Sequence, residues 1–371
     1  MKVPLVDLAF QHDEIVGEVR EGLDRLLERG DFILGSAVSE FEADFARFCG
    51  VGHCVGVGNG TDALELSLRA LGVGPGDEVI LPANTFIASA LAVVRAGASP
   101  VLVDSDADHH LIDIEAVAPQ VSSNTKALMA VDLFGQTPDW ERLQALASDT
   151  GLSLVEDAAQ AQGASRAGRR AGSFGDVAAT SFYPAKNLGA WGDAGAVTTR
   201  SSEVADRVRA LRNYGSETKY EHAVVGFNSR LDTIQAVVLA AKLQRLDAWN
   251  ALRREGAARY AELLADLPAV RLPAVLPDNE PVWHIYAVRV PQRDRVLEAL
   301  REAGIGAMVH YPTPIHLQPA FRMLNHRLGD FPNAERAAEE MISLPLFPGI
   351  TASQQEEVAH VLGEALASIG N

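Results

Sequence analysis

HCVGVGN at 53–59, TDALELSLRAL at 61–71, EVILP at 78–82, FIASALAVVRA at 86–96 and PVLV at 100–103 follow one another within a short span. The apolar runs 53–59, 78–82 and 100–103 have strand length, and the segments between them have helix length. Leu64, Leu68 and Leu71 fall on one face of the helix expected over 61–71. Strand, helix, strand at this spacing calls for crossover connections and a mainly parallel sheet. The alternation continues outward. Strands are expected at Lys126–Leu133, Leu152–Glu156, Asp176–Phe182 and Ala194–Thr199, with a helix at Trp140–Thr150.

The pattern changes toward the C-terminus. A helix near Thr233–Arg245 leads into a helical stretch reaching about Leu267, and PAVRLPAVLPDNEP at 268–281 is turn-like. A strand at His284–Val290 and helices at Arg293–Ala303 and Gln354–Ile369 follow. The expected organisation is a large α/β domain over 1–250 and a smaller α+β domain over 251–371. The long helix joins them, and the N-terminal segment is expected to pack on the smaller one.

The chain has 371 residues, 47% of them hydrophobic, which suits a globular fold rather than a disordered one. Its 32 Lys+Arg against 49 Asp+Glu give a net charge of −17, which repels phosphate backbones and argues against nucleic acid as a partner. Two cysteines, Cys49 and Cys54, form no disulfide framework and are expected to pack. MKVPLVDLAFQHDE lacks the apolar core of a signal peptide, so the expectation is a cytoplasmic protein without a membrane partner. Only five of the basic residues are lysines: Lys2, Lys126, Lys186, Lys219 and Lys242. Arginine does not lose its proton in a protein, so chemistry that needs a free amine has these candidates alone.

Several motifs each have a plainer reading. GVGNGT at 56–61 joins a strand to a helix, where backbone N–H groups can approach an anion, though a simple tight turn reads the same way. DSDADHHLIDIE at 104–115 has the carboxylate spacing of a calcium loop, but His109 stands where glycine is needed. A solvated strand-to-helix loop is the better expectation, and no metal is called for. LSLVEDAAQAQG at 152–163 ends a strand in Glu156 and Asp157, where open α/β sheets bind ligands, although a helix N-cap is an equal reading. SFYPAKNLGAWGDAGAV at 181–197 puts Lys186 in a loop between two strands, with Phe182, Tyr183 and Trp191 near it in sequence. Burial beside aromatic rings would lower its pKa toward a nucleophilic amine. An anion-cradling turn, a strand-end Asp and a loop lysine together equip a protein for pyridoxal phosphate.

At these residues the sequence resembles a known family. GNGTDALELSLRALGVGPGDEVILPANTFIAS, VEDAAQAQGA, GSFGDVAATSFYPAKNLGAWGDAGAV and GFNSRLDTIQA are similar to blocks of the DegT/StrS-type sugar aminotransferases. The likeness runs from VPLVDL at 3–8 to HYPTPIHLQPAF at 310–321. It implies a fold-type I α/β transferase that uses pyridoxal 5'-phosphate, with a mainly parallel seven-stranded sheet and a smaller C-terminal α+β domain. By that resemblance Lys186 carries the cofactor and Asp157 partners its pyridine nitrogen. Gln160 lies near the ring oxygen and Phe86 stacks on the ring. Gly60, Thr61 and Ser181 hold the phosphate, and Asn228 reaches it from a second subunit of a homodimer. Tyr183, Lys219, His310, Tyr311 and His316 match positions lining the sugar and diphosphate site.

The implied reaction moves nitrogen from L-glutamate to a nucleotide-linked keto sugar. The wording of the blocks is closest to enzymes that aminate the 3-keto position of dTDP-deoxysugars. A 4-keto aminotransferase, a sugar dehydratase and a non-catalytic regulatory protein on the same fold stay open as alternatives.

Overall fold

The computed structural model describes residues 2–369 apart from Lys219. Strands β1 (His53–Val57), β2 (Glu78–Pro82), β3 (Ser99–Val103), β4 (Thr125–Val131), β5 (Ser153–Asp157), β6 (Val177–Ser181) and β7 (Gly195–Thr199) make one sheet. Its seven strands lie in the order β1-β7-β6-β5-β4-β2-β3. The pairs β3–β2, β2–β4, β4–β5 and β5–β6 are parallel. Only β7 runs against its neighbours, β6 and β1.

Helices α1 (Ala9–Arg29), α2 (Ser36–Cys49), α3 (Gly60–Ala70), α4 (Ile87–Ala96), α5 (Trp140–Thr150), α6 (Ser202–Arg212) and α7 (Thr233–Leu243) accompany the sheet. Asn59 caps α3 by accepting the Asp62 N–H at 2.8 Å. Leu64 and Leu68 are buried in the core between α3 and the sheet, each stabilising the fold by roughly 1.5–3 kcal/mol. Leu71, expected as the last helical leucine, instead follows the helix and is only partly buried. α4 presents Ala90, Ala92, Val93 and Ala96 inward, and Gly97 ends it at φ 93°, a backbone that favours glycine.

β4 stops at Val131 rather than Leu133. The Asp132 N–H still bonds the Asp157 carbonyl at 3.0 Å, but Phe134 takes φ 60° and turns the chain out of the ladder.

The helix expected near Thr233–Arg245 is α7, and the helical stretch expected after it is α8 (Leu246–Leu263), which starts after a break at Gln244–Arg245. Then come β8 (Tyr286–Arg289), α9 (Arg293–Glu302), α10 (Pro332–Glu340), β9 (Met341–Leu344) and α11 (Ala352–Ile369). β8 is shorter than its apolar run because only Tyr286–Arg289 pair with β9. Tyr260 and Leu264, Val296 and Leu300, and Val358 and Leu362 make a second core around this pair. Val3 belongs to that core and bridges Ile305.

The acidic loop after β3 is tied down at Asp104, while Asp106, Asp108 and Glu115 keep solvent exposure. Asp104 accepts the Asn333 and Ala334 N–H groups at the start of α10, both at 2.9 Å, and Asp106 accepts those of Asp108 and His109. Cys49 and Cys54 are buried and unpaired, and burial pushes both thiols up. No helix among the described residues is long and apolar enough to cross a membrane.

Candidate active site

The reversal of β7 decides where the lysine loop goes. A parallel successor to β6 would need a crossover to the far edge of the sheet, whereas an antiparallel one begins where β6 ends. Ser181 pairs with Gly195, and the Phe182 N–H bonds the Ala194 carbonyl at 2.8 Å. Residues 182–194 therefore leave and re-enter the sheet at the carboxyl edge of the parallel strands, and Lys186 stands over that edge. A cleft of about 660 Å³ opens there, between the strand ends and the C-terminal layer.

Gly60, Thr61, Phe86, Asp157, Gln160, Ser181, Tyr183, Lys186, His310 and Tyr311 all line this cleft. Asn228 does not: it is exposed and bridges Asn213. His316, expected to line the sugar and diphosphate site, does not line the cleft either. Its ring is buried, Nε2 lies 2.9 Å from Glu335 Oε1, and Phe331 packs edge-on at 4.7 Å. That makes it a core histidine away from the cleft. Lys219 lies outside the described residues. Of the three aromatics near Lys186 in sequence, only Tyr183 reaches the cleft. Phe182 packs against Phe41 and Phe45, and Trp191 faces His12.

Glu156 and Asp157 point to opposite faces, as successive strand residues must. Glu156 is buried and takes the N–H groups of Gly172, Phe174 and Gly175 at 2.5, 2.7 and 3.2 Å. Asp157 faces the cleft. Its Oδ2 accepts from Ser89 Oγ at 2.7 Å and its Oδ1 from the Ala159 N–H at 3.2 Å, so the turn-capping role holds beside the cleft-facing one. Burial raises its pKa, and the Ser89 hydroxyl, the Ala159 N–H and the Lys186 charge oppose that.

Burial lowers Lys186 to about 8, while Asp157 pulls it back up. At pH 7 about a tenth of the molecules then carry a free amine, against fewer than about one in a thousand at the ordinary value.

The first N–H groups of a helix have no intrahelical acceptor. Asn59 occupies those of Asp62 and Ala63, leaving Gly60 and Thr61 to point their N–H groups at an anion. A Cβ on Gly60 would sit 2.6 Å from Ser181 Cβ, so only glycine lets the turn press onto β6. Gln160 accepts the Phe134 N–H at 2.6 Å and donates Nε2 to Tyr311 Oη at 2.8 Å, which keeps the second Nε2 proton available. Phe86, N-terminal neighbour of α4, is half exposed, with Tyr311 at 5.4 Å. The donor set fits a phosphorylated pyridine aldehyde, with a helix N-terminus for the phosphate, an acid for the ring nitrogen and an amine for the aldehyde.

Asn59, Thr85, Arg95, Asp193 and His284 also line the cleft and were not singled out from sequence. Asn59 was legible as the cap in GVGNGT. Nothing in their local patterns marks Arg95 or His284.

The chain is similar over nearly its whole length to known proteins. Residues 13–363 match the DegT/DnrJ/EryC1/StrS aminotransferase family. The chain is 46% identical over 363 residues to the dTDP-3-amino-3,4,6-trideoxy-alpha-D-glucose transaminase of Streptomyces venezuelae, covering 98% of this chain and 96% of that one. It is also 46% identical, over 98% of its length and 99% of the relative's, to the erythromycin biosynthesis sensory transduction protein EryC1 of Saccharopolyspora erythraea. The crystal structure of S. venezuelae DesV in complex with a ketimine intermediate superposes with a TM-score of 0.95 at 46% identity, covering 98% of each chain. NtdA of Bacillus subtilis, solved with bound cofactor PMP, superposes with a TM-score of 0.90 at 29% identity, covering 98% of this chain and 86% of that one. With the family model matching residues 13–363 and relatives 46% identical over nearly its whole length, the chain belongs to the DegT/DnrJ/EryC1/StrS aminotransferase family.

Proposed function

We propose that the protein is a pyridoxal 5'-phosphate-dependent sugar-nucleotide aminotransferase. It takes nitrogen from L-glutamate and delivers it to the 3-keto carbon of a dTDP-linked 6-deoxyhexose, as a cytoplasmic homodimer in deoxyaminosugar biosynthesis. The observation that carries the reading is Lys186, an amine lowered to about 8, standing in one cleft with Asp157 and the free N-terminus of α3. The dTDP-3-amino sugar named for the S. venezuelae relative supports the substrate class and the keto position.

The bound cofactor supplies a carbonyl carbon that carries nitrogen and a ring that takes up electron density. The chain does the rest. Gly60 and Thr61 N–H groups and the Ser181 hydroxyl hold the phosphate, helped by the positive end of the α3 dipole. Asn228 of the partner subunit reaches the same phosphate. Asp157, kept ionised by Ser89, holds the proton on the pyridine nitrogen. Phe86 covers one ring face, and the free Nε2 proton of Gln160 goes to the ring oxygen. Lys186 Nζ would take a proton from the substrate carbon that bears nitrogen and return it to the carbon on the far side of that nitrogen, work worth typically ~10²–10⁴-fold. Tyr183, His310 and Tyr311 bind the sugar. Tyr311 already accepts from Gln160, so its own proton is left to donate to a substrate oxygen.

The test is covalent trapping. Borohydride added to the protein with pyridoxal 5'-phosphate fixes the cofactor's mass on the Lys186 peptide. Lys186→Ala carries no such mass and loses transamination while melting normally. Mass on any other lysine, or an active alanine variant, rules the reading out. A regulatory role is the second reading, favoured by the name of the EryC1 relative. It predicts no glutamate-dependent conversion of any keto-sugar nucleotide.

A further inference from the structure

On the face of the sheet that α5 covers, behind Asp157, two more carboxyl groups meet. Ala130 pairs with Glu156 and Val131 with Asp157 across β4 and β5. Asp132, two residues past Ala130, therefore turns its side chain to the same face as Glu156. Both are fully buried, and their carboxyl groups lie within hydrogen-bonding reach of each other. The packing around them is apolar, made by Leu128, Ala130, Trp140, Leu143, Leu154 and Phe174. Among the described residues neither carboxyl has a cation beside it. Arg169 and Arg200 donate to the Ser173 carbonyl, and Arg170 pairs with Asp247.

The oxygens of the pair are not equivalent. Glu156 Oε1 accepts the Gly172 N–H and Oε2 those of Phe174 and Gly175, three donors that suit an ionised carboxylate. Asp132 Oδ1 accepts Trp140 Nε1 at 3.2 Å. Asp132 Oδ2 is buried with no donor facing it. As a bare carboxylate oxygen it would be sealed from water against a second negative charge, a costly arrangement. Holding a proton, it becomes a donor to the acceptor beside it.

We propose that Asp132 carries a proton on Oδ2 and donates it to Glu156, so that one proton shared by two carboxyl groups ties the end of β4 to β5 and to the turn entering β6. The pair braces the strand ends from which Asp157 reaches the cleft, because the Asp132 N–H bonds the Asp157 carbonyl and Glu156 precedes Asp157. It also places one negative charge behind Asp157 rather than two. Burial, then the charge of Glu156 and the hydrogen bond to it, push Asp132 far above the ordinary carboxyl range; Trp140 opposes this and Asp157 adds to it. Burial raises Glu156 as well, against the pull of its backbone donors and of Asp132. Cys49, packed against Gly172, is kept neutral by burial and adds no charge.

Two measurements test the proposal. The infrared spectrum of the purified protein in heavy water at about pH 8, where exposed carboxyl groups are ionised, shows the carbonyl stretch of a neutral carboxylic acid. Carbon-13 labelling of aspartate shifts that band, and Asp132→Asn removes it. A spectrum from which Asp132→Asn removes no such band overturns the proposal. Asparagine has the shape of the protonated acid, with an amide N–H for Glu156 and an oxygen for Trp140, so the variant folds.

The second measurement is the unfolding constant in urea for wild type and Asp132→Asn across pH. Native Asp132 keeps its proton, whereas an unfolded aspartate gives it up above about pH 4. The stability this group adds is complete below that pH and is lost as pH rises toward the native value. The wild-type unfolding constant, divided by that of the variant, therefore rises about tenfold per pH unit, about a hundredfold from pH 6 to pH 8. Division removes every titration the two proteins share, and a change in packing alone shifts the ratio equally at all pH. A ratio that stays flat overturns the proposal, and where the variant does not fold the labelled wild-type band decides. Neither readout involves the cofactor, so failure of the trapping experiment and failure here are separate results.

Discussion

Ser89 spends its one proton on Asp157, and Thr85 Oγ1, 2.8 Å away, then supplies the proton that Ser89 Oγ accepts. A carboxylate buried at the floor of a cleft needs such donors to stay ionised. Removing one costs about 1–3 kcal/mol, so Ser89→Ala is expected to raise the Asp157 pKa and lower kcat about tenfold. The check is kcat at saturating substrate with cofactor content equalised. A variant with wild-type kcat denies the relay any part in turnover. The lysine makes a second expectation at this scale. Its pKa is depressed, so the free amine accumulates as pH rises through about 8. Capture of the cofactor by the apo-protein should quicken about tenfold between pH 7 and pH 9 and then level off. Stopped-flow absorbance reads it, and a rise that starts only above pH 10 means Lys186 is an ordinary lysine.

At the scale of elements, the βαβ core was readable because its periodicities are undisturbed. β1, α3, β2, α4 and β3 fall within a residue or two of the apolar runs that announced them. The helices α1, α2, α6 and α10 were not resolved from sequence. α6 buries Ala205, Val208, Ala210 and Leu211 among charged residues, so no strong apolar stripe stands out, whereas α1 (Ile15, Val19, Leu26) and α2 (Val38, Phe41, Phe45, Cys49) carry regular stripes that the sequence does show. The cleft residues on long similar blocks were legible for the same reason as the strands. His316 was not, because a short stretch of sequence does not show whether a histidine meets a ligand or Glu335. The turn before α3 is the element most exposed to a single change. Gly60→Ala puts a methyl 2.6 Å from Ser181 Cβ, and overpacking of this kind costs about 1–3 kcal/mol. Because the strain falls on the anion-binding turn, cofactor affinity should drop about tenfold or more while the melting temperature falls by only a few degrees. Fluorescence titration of the apo-variant with cofactor checks this. Unchanged affinity means that the turn does not hold the phosphate.

For the molecule as a whole, the sequence conveyed a two-part plan, and the structure packs an apolar cluster around β8 and β9 that is separate from those on the seven-stranded sheet. We propose a division near residue 250. That point lies within α8 (Leu246–Leu263), so the parts share a helix rather than a linker. The proposed dimer makes its own prediction from Asn228, which is exposed and absent from the cleft of its own chain. If each site borrows Asn228 of the partner subunit, then Lys186→Ala and Asn228→Asp chains, each inactive alone, should complement. Half the random dimers are hybrids, and each hybrid has one intact site, so mixing recovers about a quarter of wild-type activity. Subunit exchange followed by assay reads this. No recovery means that the sites are not shared.

The lone antiparallel strand has a consequence for how such a protein can change. Because Ser181 and Gly195 are hydrogen-bonded neighbours, residues 182–194 form a closed lobe whose two feet stand side by side on the sheet. Lengthening or shortening the lobe leaves the strand ladder untouched, since neither foot moves. The amine at Lys186 is therefore moored to the scaffold at both ends of its segment, and Leu188 and Ala190, sunk into the core beside it, fix its height above the sheet.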